Sequence, residues 1–461
     1  MSVAKHNLKR SLWLLSILAL ANYGYGQDPR FPVTLANVQG DRQESASRDG
    51  SEANSIDQSE DNSEHPPATE LWEPTQPTDS ILPAANRPSP LNLTIGVDFL
   101  AIASTKRTFP RGLPLLVLPD SPFGADTNTF STHARQSFVN ASLSGPAIGD
   151  FQVGGNVLAF FQNDNLTSDD YGLLVYFAYG ELKNENWRFA AGLQQDVFNP
   201  VSPTILYLTK LYASGNTGSY RGQLRVERFF EASHGLNITT QFALSDPLSF
   251  LVTDDLGRVT EDNGWPNVEG RIELGFGQKH MIRGGPIAPL RVGVSSVVGQ
   301  IRSVSTIFGP PGSLPPRSLI DVWGLGADIQ YAANERMGFA AEFFVGQGLG
   351  DYNGGILQSS NATTLDPVRS IGGFGEFYYY LDPTRHVHIG YGIDDPRDSD
   401  LAPIQILRNE SYFATLIWDI SAALQLGFEI DYRKTSYTRF LPNAFLDAGA
   451  WVFGSKLQWR F

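Results

Sequence analysis

Between residues 91 and 461 the chain repeats short segments in which apolar and polar side chains alternate, and the polar face carries charge. Leu424, Leu426, Phe428, Ile430 and Tyr432 alternate with Gln425, Gly427, Glu429 and Asp431. Val268, Gly270, Ile272, Leu274 and Phe276 alternate with Asn267, Glu269, Arg271 and Glu273. Trp323, Leu325, Ala327, Ile329 and Tyr331 alternate with Gly324, Gly326, Asp328 and Gln330. A period of two sends alternate side chains to opposite faces of a strand. A soluble sandwich alternates too, but its inner face is dry, and repeated Arg, Glu, Asp and Gln there would lose hydration without compensation. The apolar face also carries aromatic residues near segment ends, Trp323, Trp418, Tyr432 and Trp459, where the two membrane interfaces would lie. Charge inside and apolar groups outside predict an all-β, transmembrane antiparallel barrel that holds water and faces lipid.

Sixteen such segments start near residues 91, 134, 150, 172, 186, 219, 235, 266, 289, 319, 336, 371, 386, 410, 423 and 450. The second, fourth and fourteenth have an ambiguous phase. Long connections (106–131, 195–218, 246–265, 303–318, 346–370, 394–409 and 434–448) alternate with short turns such as Gly145–Gly149, Asp382–Arg385 and Asp419–Ala422. Long outer loops and short periplasmic turns give that rhythm. An even strand count puts both ends of the barrel on the periplasmic side.

The rest of the composition agrees. The 461 residues include 45 Gly and 12% aromatics, which suits many short strands. There is no cysteine, so disulfides and thiolate metal sites are excluded. A net charge of −14 argues against nucleic acid as a partner. Lys5, Lys9 and Arg10 precede an apolar run from Leu12 to Ala21, and Gly24 and Gly26 follow, which predicts a signal peptide over 1–26. The segment 27–90 has 12 acidic and 4 basic residues and is rich in Pro, so it is expected to be a disordered, extended periplasmic segment or one that contacts the cell wall or a periplasmic partner. The barrel is assigned to 91–461. Trp459 and Phe461 share a face with Leu457, the pattern that outer-membrane barrels show to their assembly machinery.

Arg221, Gln223, Arg225 and Glu227 share one strand face, which is the inner one if Leu224 and Val226 face lipid. Arg135, Arg188, Arg271 and Arg291 fall on the same phase, and Glu269 and Glu273 sit among them. A guanidinium stays charged and presents fixed donors to carboxylate or phosphate, so this wall suits an anion path. Inward acids, Asp98, Asp328, Glu342, Glu376, Glu429 and Asp431, lie on the first and later strands. Opposed walls would set a transverse field. Pairing of these charges across the lumen fits the pattern equally well. The connection 195–218 is apolar for an exposed loop, with Ile205, Leu206, Tyr207, Leu208, Leu211 and Tyr212. It is expected to fold into the lumen as a constriction and place Lys210 near Arg221, or else to pack on a neighbouring subunit.

Several stretches resemble a known family. The Arg-x-Gln-x-Arg pattern at Arg221–Arg225, the run from Ala340 to Gly355, the run from Gly390 to Pro396 and the run from Phe428 to Tyr437 are similar, in that order, to strands of the DcaP-type trimeric porins. The resemblance covers roughly 91–461. It implies a sixteen-stranded homotrimeric diffusion channel of the bacterial outer membrane, without cofactor, preferring small anionic solutes such as dicarboxylates. Members of that family carry a helical coiled-coil segment before the barrel, and here an acidic, Pro-rich one stands in that place.

Other readings are weaker. His386 and His388 share a face but have no evident third metal ligand. Asp394, Asp395, Asp398 and Asp400 could hold Ca²⁺ or form a solvated acidic loop. An outer-membrane barrel enzyme of the phospholipase type would need a Ser/His or Asp/His set at the membrane edge. None of His133, His234, His280, His386 and His388 has an obvious Ser partner, so no enzyme is expected. A plugged barrel acting as a structural anchor is the remaining alternative.

Overall fold

The computed structural model describes residues 91–119, 128–163, 170–233, 235–249, 260–278, 280–282, 285–304, 316–403, 405–438 and 446–461, all within the compact unit Pro67–Phe461. The expected signal peptide and acidic segment lie outside the described residues.

Apart from two small two-stranded ribbons (Thr108–Phe109 with Leu116–Val117, and His280–Ile282 with Gly285–Ile287), the described strands close into one antiparallel sheet in which sixteen strands are consecutive neighbours. They are β1 (Leu91–Ser104), β2 (Thr129–His133 with Phe138–Ile148), β3 (Phe151–Gln162), β4 (Tyr171–Lys183), β5 (Trp187–Gln195), β6 (Tyr220–Ser233), β7 (Leu236–Ser245) and β8 (Thr260–Asp262 with Asn267–Phe276). There follow β9 (Leu290–Val304), β10 (Arg317–Ala332), β11 (Met337–Gln347), β12 (Arg369–Asp382), β13 (Arg385–Pro396), β14 (Ile406–Ser421), β15 (Leu424–Tyr437) and β16 (Leu446–Arg460). β1 pairs with β16 from Gly96↔Arg460 to Ser104↔Val452, which closes the barrel. No described helix is long and apolar enough to cross a membrane.

Two strands carry a break that the sequence expectation lacked, while β14 and β16 each begin about four residues earlier than expected. β2 starts earlier than expected and is broken at 134–137, where Arg135 and Gln136 turn into the interior. β8 likewise gains Thr260–Asp262 beyond a break at 263–266. In both, two short pieces pair with one continuous neighbour, β1 and β9.

The alternation is realised in space. Leu224, Val294 and Ile389 are exposed on the outer wall, whereas Arg221, Gln223, Arg225 and Glu227 are buried on the inner one. So large an apolar outer band has no counterpart among water-facing surfaces, and it fits the hydrocarbon of a bilayer. The inner wall also carries apolar residues, among them Leu100, Val297, Phe344, Phe374 and Phe413, which are buried against segments folded into the barrel.

Candidate functional site

The segment between β5 and β6, residues 196–219, lies inside the barrel and is almost wholly buried. Its apolar side chains spread over the inner wall. Phe198 packs with Val297, Ile320, Val322 and Phe344. Val201, Leu206, Tyr207 and Leu211 pack with Leu100, Phe374, Phe413 and Val452. Leu208 and Tyr212 pack with Phe160, Tyr176 and Tyr220. The loop thus reaches strands from β1 to β16.

Four inward glutamates hold its backbone. Glu269 accepts the Val197 and Phe198 N–H groups at 2.7 and 3.1 Å. Glu342 accepts Val201 N–H at 3.0 Å and Thr217 N–H at 3.4 Å. Glu376 accepts Thr204 N–H. Glu429 accepts Leu206 N–H at 2.7 Å and the Thr415 hydroxyl at 2.9 Å. These carboxylates face the loop and are buried under it. Backbone N–H groups with no sheet partner need acceptors when buried, and a charged acceptor makes the bond short and strong.

Glycines let the loop approach closely. At Gly392 an added Cβ would run into the Ser214 carbonyl oxygen of the loop. A Gly392→Ala chain should therefore unfold at lower temperature, with a loss of about 1–3 kcal/mol. Gly375→Ala, where nothing lies within 4 Å of the added atom, is the control. Equal melting of both variants would remove the close approach as a constraint.

Four of the expected lumen cations, Arg188, Arg221, Arg225 and Arg271, are found in local ion pairs, and so are Arg433 and Lys456, which the sequence reading did not single out. Arg221 is buried and binds Asp196 at 2.8 Å, the Asp246 and Asp351 carbonyls at 2.8 and 2.7 Å, and the Tyr352 ring at 3.8 Å. Arg188 pairs with Glu181 and Glu227 at 2.5 and 2.7 Å, and Arg225 with Glu227 at 2.6 Å. Gln223 donates to the Gln194 and Gln195 carbonyls at 3.0 and 2.9 Å. Arg271 pairs with Glu273 at 2.8 Å and Asp328 at 2.7 Å. Arg135 is buried and donates to the Arg111 carbonyl at 3.3 Å. Arg433 pairs with Asp431 at 2.8 Å, and Lys456 lies 4.0 Å from Asp98. Arg291 is half-buried, donates to the Gln330 amide oxygen and has no carboxylate at ion-pair distance among the described residues. Lys210 is buried at a left-handed turn of the loop, φ 42°.

The remaining motifs serve structure. His386 Nδ1 and His388 Nε2 share a hydrogen bond of 2.7 Å, and His388 Nδ1 meets Glu376 at 2.6 Å. No group of three or more metal-binding side chains occurs among the described residues. Of the acidic loop, Asp394 accepts Ile356 N–H at 2.8 Å and Asp395 pairs with Arg408 at 2.9 Å. Asp400 pairs with Arg369 at 2.6 Å, and that guanidinium holds its carboxyl below the usual carboxylate range. Sequence reasoning placed the glutamates on the inner wall but did not see their partners. Those partners are backbone groups, which leave no mark in side-chain spacing.

A closed sixteen-stranded antiparallel barrel with alternating long and short connections and with residues 196–219 and 349–357 folded into it has the architecture of a porin-type barrel. Among solved structures, it is similar to the outer membrane channel DcaP of Acinetobacter baumannii, with a TM-score of 0.58 and 14% identity over 80% of this chain and 97% of that one. More distant likenesses are an anion-selective porin from Comamonas acidovorans (TM-score 0.49, 10% identity, 80% of this chain and 99% of that one) and OmpT of Vibrio cholerae (0.48, 11%, 82% and 99%). No protein-family model matches the chain, and no curated protein matches it.

Proposed function

We propose that the chain is an outer-membrane porin through which small polar solutes diffuse past a fixed constriction, with no catalysis. The observation that carries this reading is the loop 196–219, tied by Glu269, Glu342, Glu376 and Glu429 inside a closed barrel with an apolar exterior. Anionic solutes, dicarboxylates among them, are the preferred cargo. These four glutamates are occupied by loop backbone, so they offer little negative charge to the remaining water path, whereas Arg291 is half-exposed with no carboxylate at ion-pair distance among the described residues, although it acts on Glu273 from farther away. In this reading the barrel self-associates as a homotrimer, sits in outer-membrane lipid, is inserted by the barrel assembly machinery through the Trp459–Phe461 end, and is preceded by a periplasmic acidic segment.

Single-channel current in planar bilayers under a salt gradient tests it. Current steps in groups of three with an anion-selective reversal potential are expected. Arg291→Gln and Arg225→Ala should each lower the anion-to-cation permeability ratio by about twofold. Cation selectivity would end the anion assignment. Silence from a folded, heat-modifiable barrel would end the channel reading in favour of a plugged anchor. The dense filling of the lumen by residues 196–219 and 349–357 is the one feature that favours that alternative.

A further inference from the structure

Behind one of the loop glutamates stands a row of side chains that runs down the inner wall. Glu376 accepts the Thr204 N–H group with Oε2, and its Oε1 meets His388 Nδ1 at 2.6 Å. His388 Nε2 meets His386 Nδ1 at 2.7 Å, and His386 Nε2 lies 3.6 Å from Asp419 Oδ2. Asp419 Oδ1 accepts the Gln425 amide at 2.8 Å, and the Asp419 N–H donates to the Thr384 carbonyl in the short turn between β12 and β13. Glu376, His388, His386 and Asp419 are all buried. The row therefore links the loop in the lumen to the short-turn end of the barrel.

Counting donors fixes how many protons the row can hold. A neutral imidazole has one N–H and one acceptor nitrogen, whereas an imidazolium has two N–H groups. If His388 Nδ1 donates to Glu376, a neutral His388 accepts at Nε2 from His386 Nδ1. A bare His386 Nε2 would then set a lone pair against the Asp419 carboxylate, and a protonated one donates to it. One imidazolium between two carboxylates thus satisfies every atom of the row. Tyr380 stacks on His386 at 4.8 Å and 23°, and Tyr378 lies 6.1 Å from His388, ring faces that suit a cation. A second proton, on His388 Nε2, would point at the His386 Nδ1–H across 2.7 Å. The surroundings oppose it too. Arg460 and Lys456 of β16 already act on Asp419, and Glu429 of β15 is held by Leu206 N–H and the Thr415 hydroxyl.

We propose that Glu376, His388, His386 and Asp419 form a one-proton strut for the loop. With one imidazolium in the pair the strut holds Thr204, and a second proton drives the two rings apart, draws Glu376 off the Thr204 N–H and loosens the constriction. His386 and His388 are positioning residues that act on the water path only through Glu376. The effect on current rests on the channel reading given above, whereas the proton count of the row can be read without current. Both are measured on the purified full chain. Ring-nitrogen NMR of the histidine-labelled chain in micelles, from about pH 8 to about pH 5, should show the pair taking up its second proton in a separate, more acidic step. Wild-type conductance in planar bilayers should rise by about twofold, with added noise, across that second step. His388→Asn keeps an amide donor for Glu376, and His386→Asn offers His388 an amide that can donate or accept. Both should conduct like the wild type near neutral pH and lose the response to acid. His133→Asn, which removes the inward histidine that meets the Gly112 carbonyl at 2.8 Å on β2, should keep it. Heat-modifiable migration checks that each variant folds, and if an asparagine variant does not, the wild-type titration set against wild-type current decides alone. Titration of the pair in one unsplit step would overturn the proposal. So would an open wild-type channel indifferent to acid, or an acid response that survives in folded His386→Asn and His388→Asn. A wild type silent at every pH whose pair still titrates in two steps would end the channel reading and keep the strut.

Discussion

Replacing Glu342, Glu376 and Glu429 together by alanine should raise single-channel conductance by about twofold or more and add current noise. The three carboxylates accept the N–H groups of Val201, Thr204, Leu206 and Thr217 inside the barrel. Alanine leaves those donors buried without acceptors, each at a cost of about 1–3 kcal/mol. Relief comes only if that stretch of the loop moves toward water. Apolar packing opposes the movement, because Val201, Leu206, Tyr207 and Leu211 remain seated on the wall. The experiment therefore weighs polar anchoring against burial. Single Glu→Gln variants keep a carbonyl acceptor and should fall between wild type and the triple variant. Conductance and noise that match the wild type in the triple variant would show that packing alone fixes the constriction.

The second large effect is expected at Asp196. Its Oδ1 receives Arg221 Nε at 2.8 Å and its Oδ2 receives Ser219 N–H at 2.8 Å, all of them buried. Removing one partner of a buried ion pair costs more than the pair is worth, because the other charge is left behind. Asp196→Ala should thus destabilise the barrel by about 3–5 kcal/mol, measured by denaturant unfolding in detergent. Arg221 would retain two carbonyls and the Tyr352 ring, which argues for the lower end. Asp196→Ala combined with Arg221→Leu removes both charges and should be less unstable than Asp196→Ala alone. A double variant weaker than the single one would mean that Arg221 contributes chiefly through Tyr352 and the carbonyls it holds.

The strand pattern was legible because lipid and water impose opposite demands on the two faces of each strand. It blurred in the three segments whose phase was ambiguous, and each has a physical cause. β2 is broken where Arg135 and Gln136 enter the interior. β4 slips its register against β3, so that Leu158 pairs with Phe177 but Ala159 pairs with Val175. β14 buries Phe413 and Ile417 inward while Tyr412 and Trp418 face outward, so both faces read as apolar. A polar-inside rule fails wherever the lumen is lined by a folded loop instead of water. The same fact explains the site. The inner phase of Glu342, Glu376 and Glu429 could be read from spacing, but whether each would face a solute, a cation or a backbone N–H depends on a loop 125 to 223 residues away in sequence.

The seam between β1 and β16 bears on the order of events in assembly. Ile95 and Phe461 exchange backbone hydrogen bonds of 2.9 and 3.0 Å, and β1 runs against β16 over nine residue pairs. The first strand of the barrel therefore waits, unpaired on one edge, for the last. A ribosome-bound chain that has not reached residue 446 cannot close the wall, and either free edge would leave peptide groups unsatisfied in hydrocarbon. Closure in the membrane must follow completion of the polypeptide, and until then the edges need shelter from some other strand or surface.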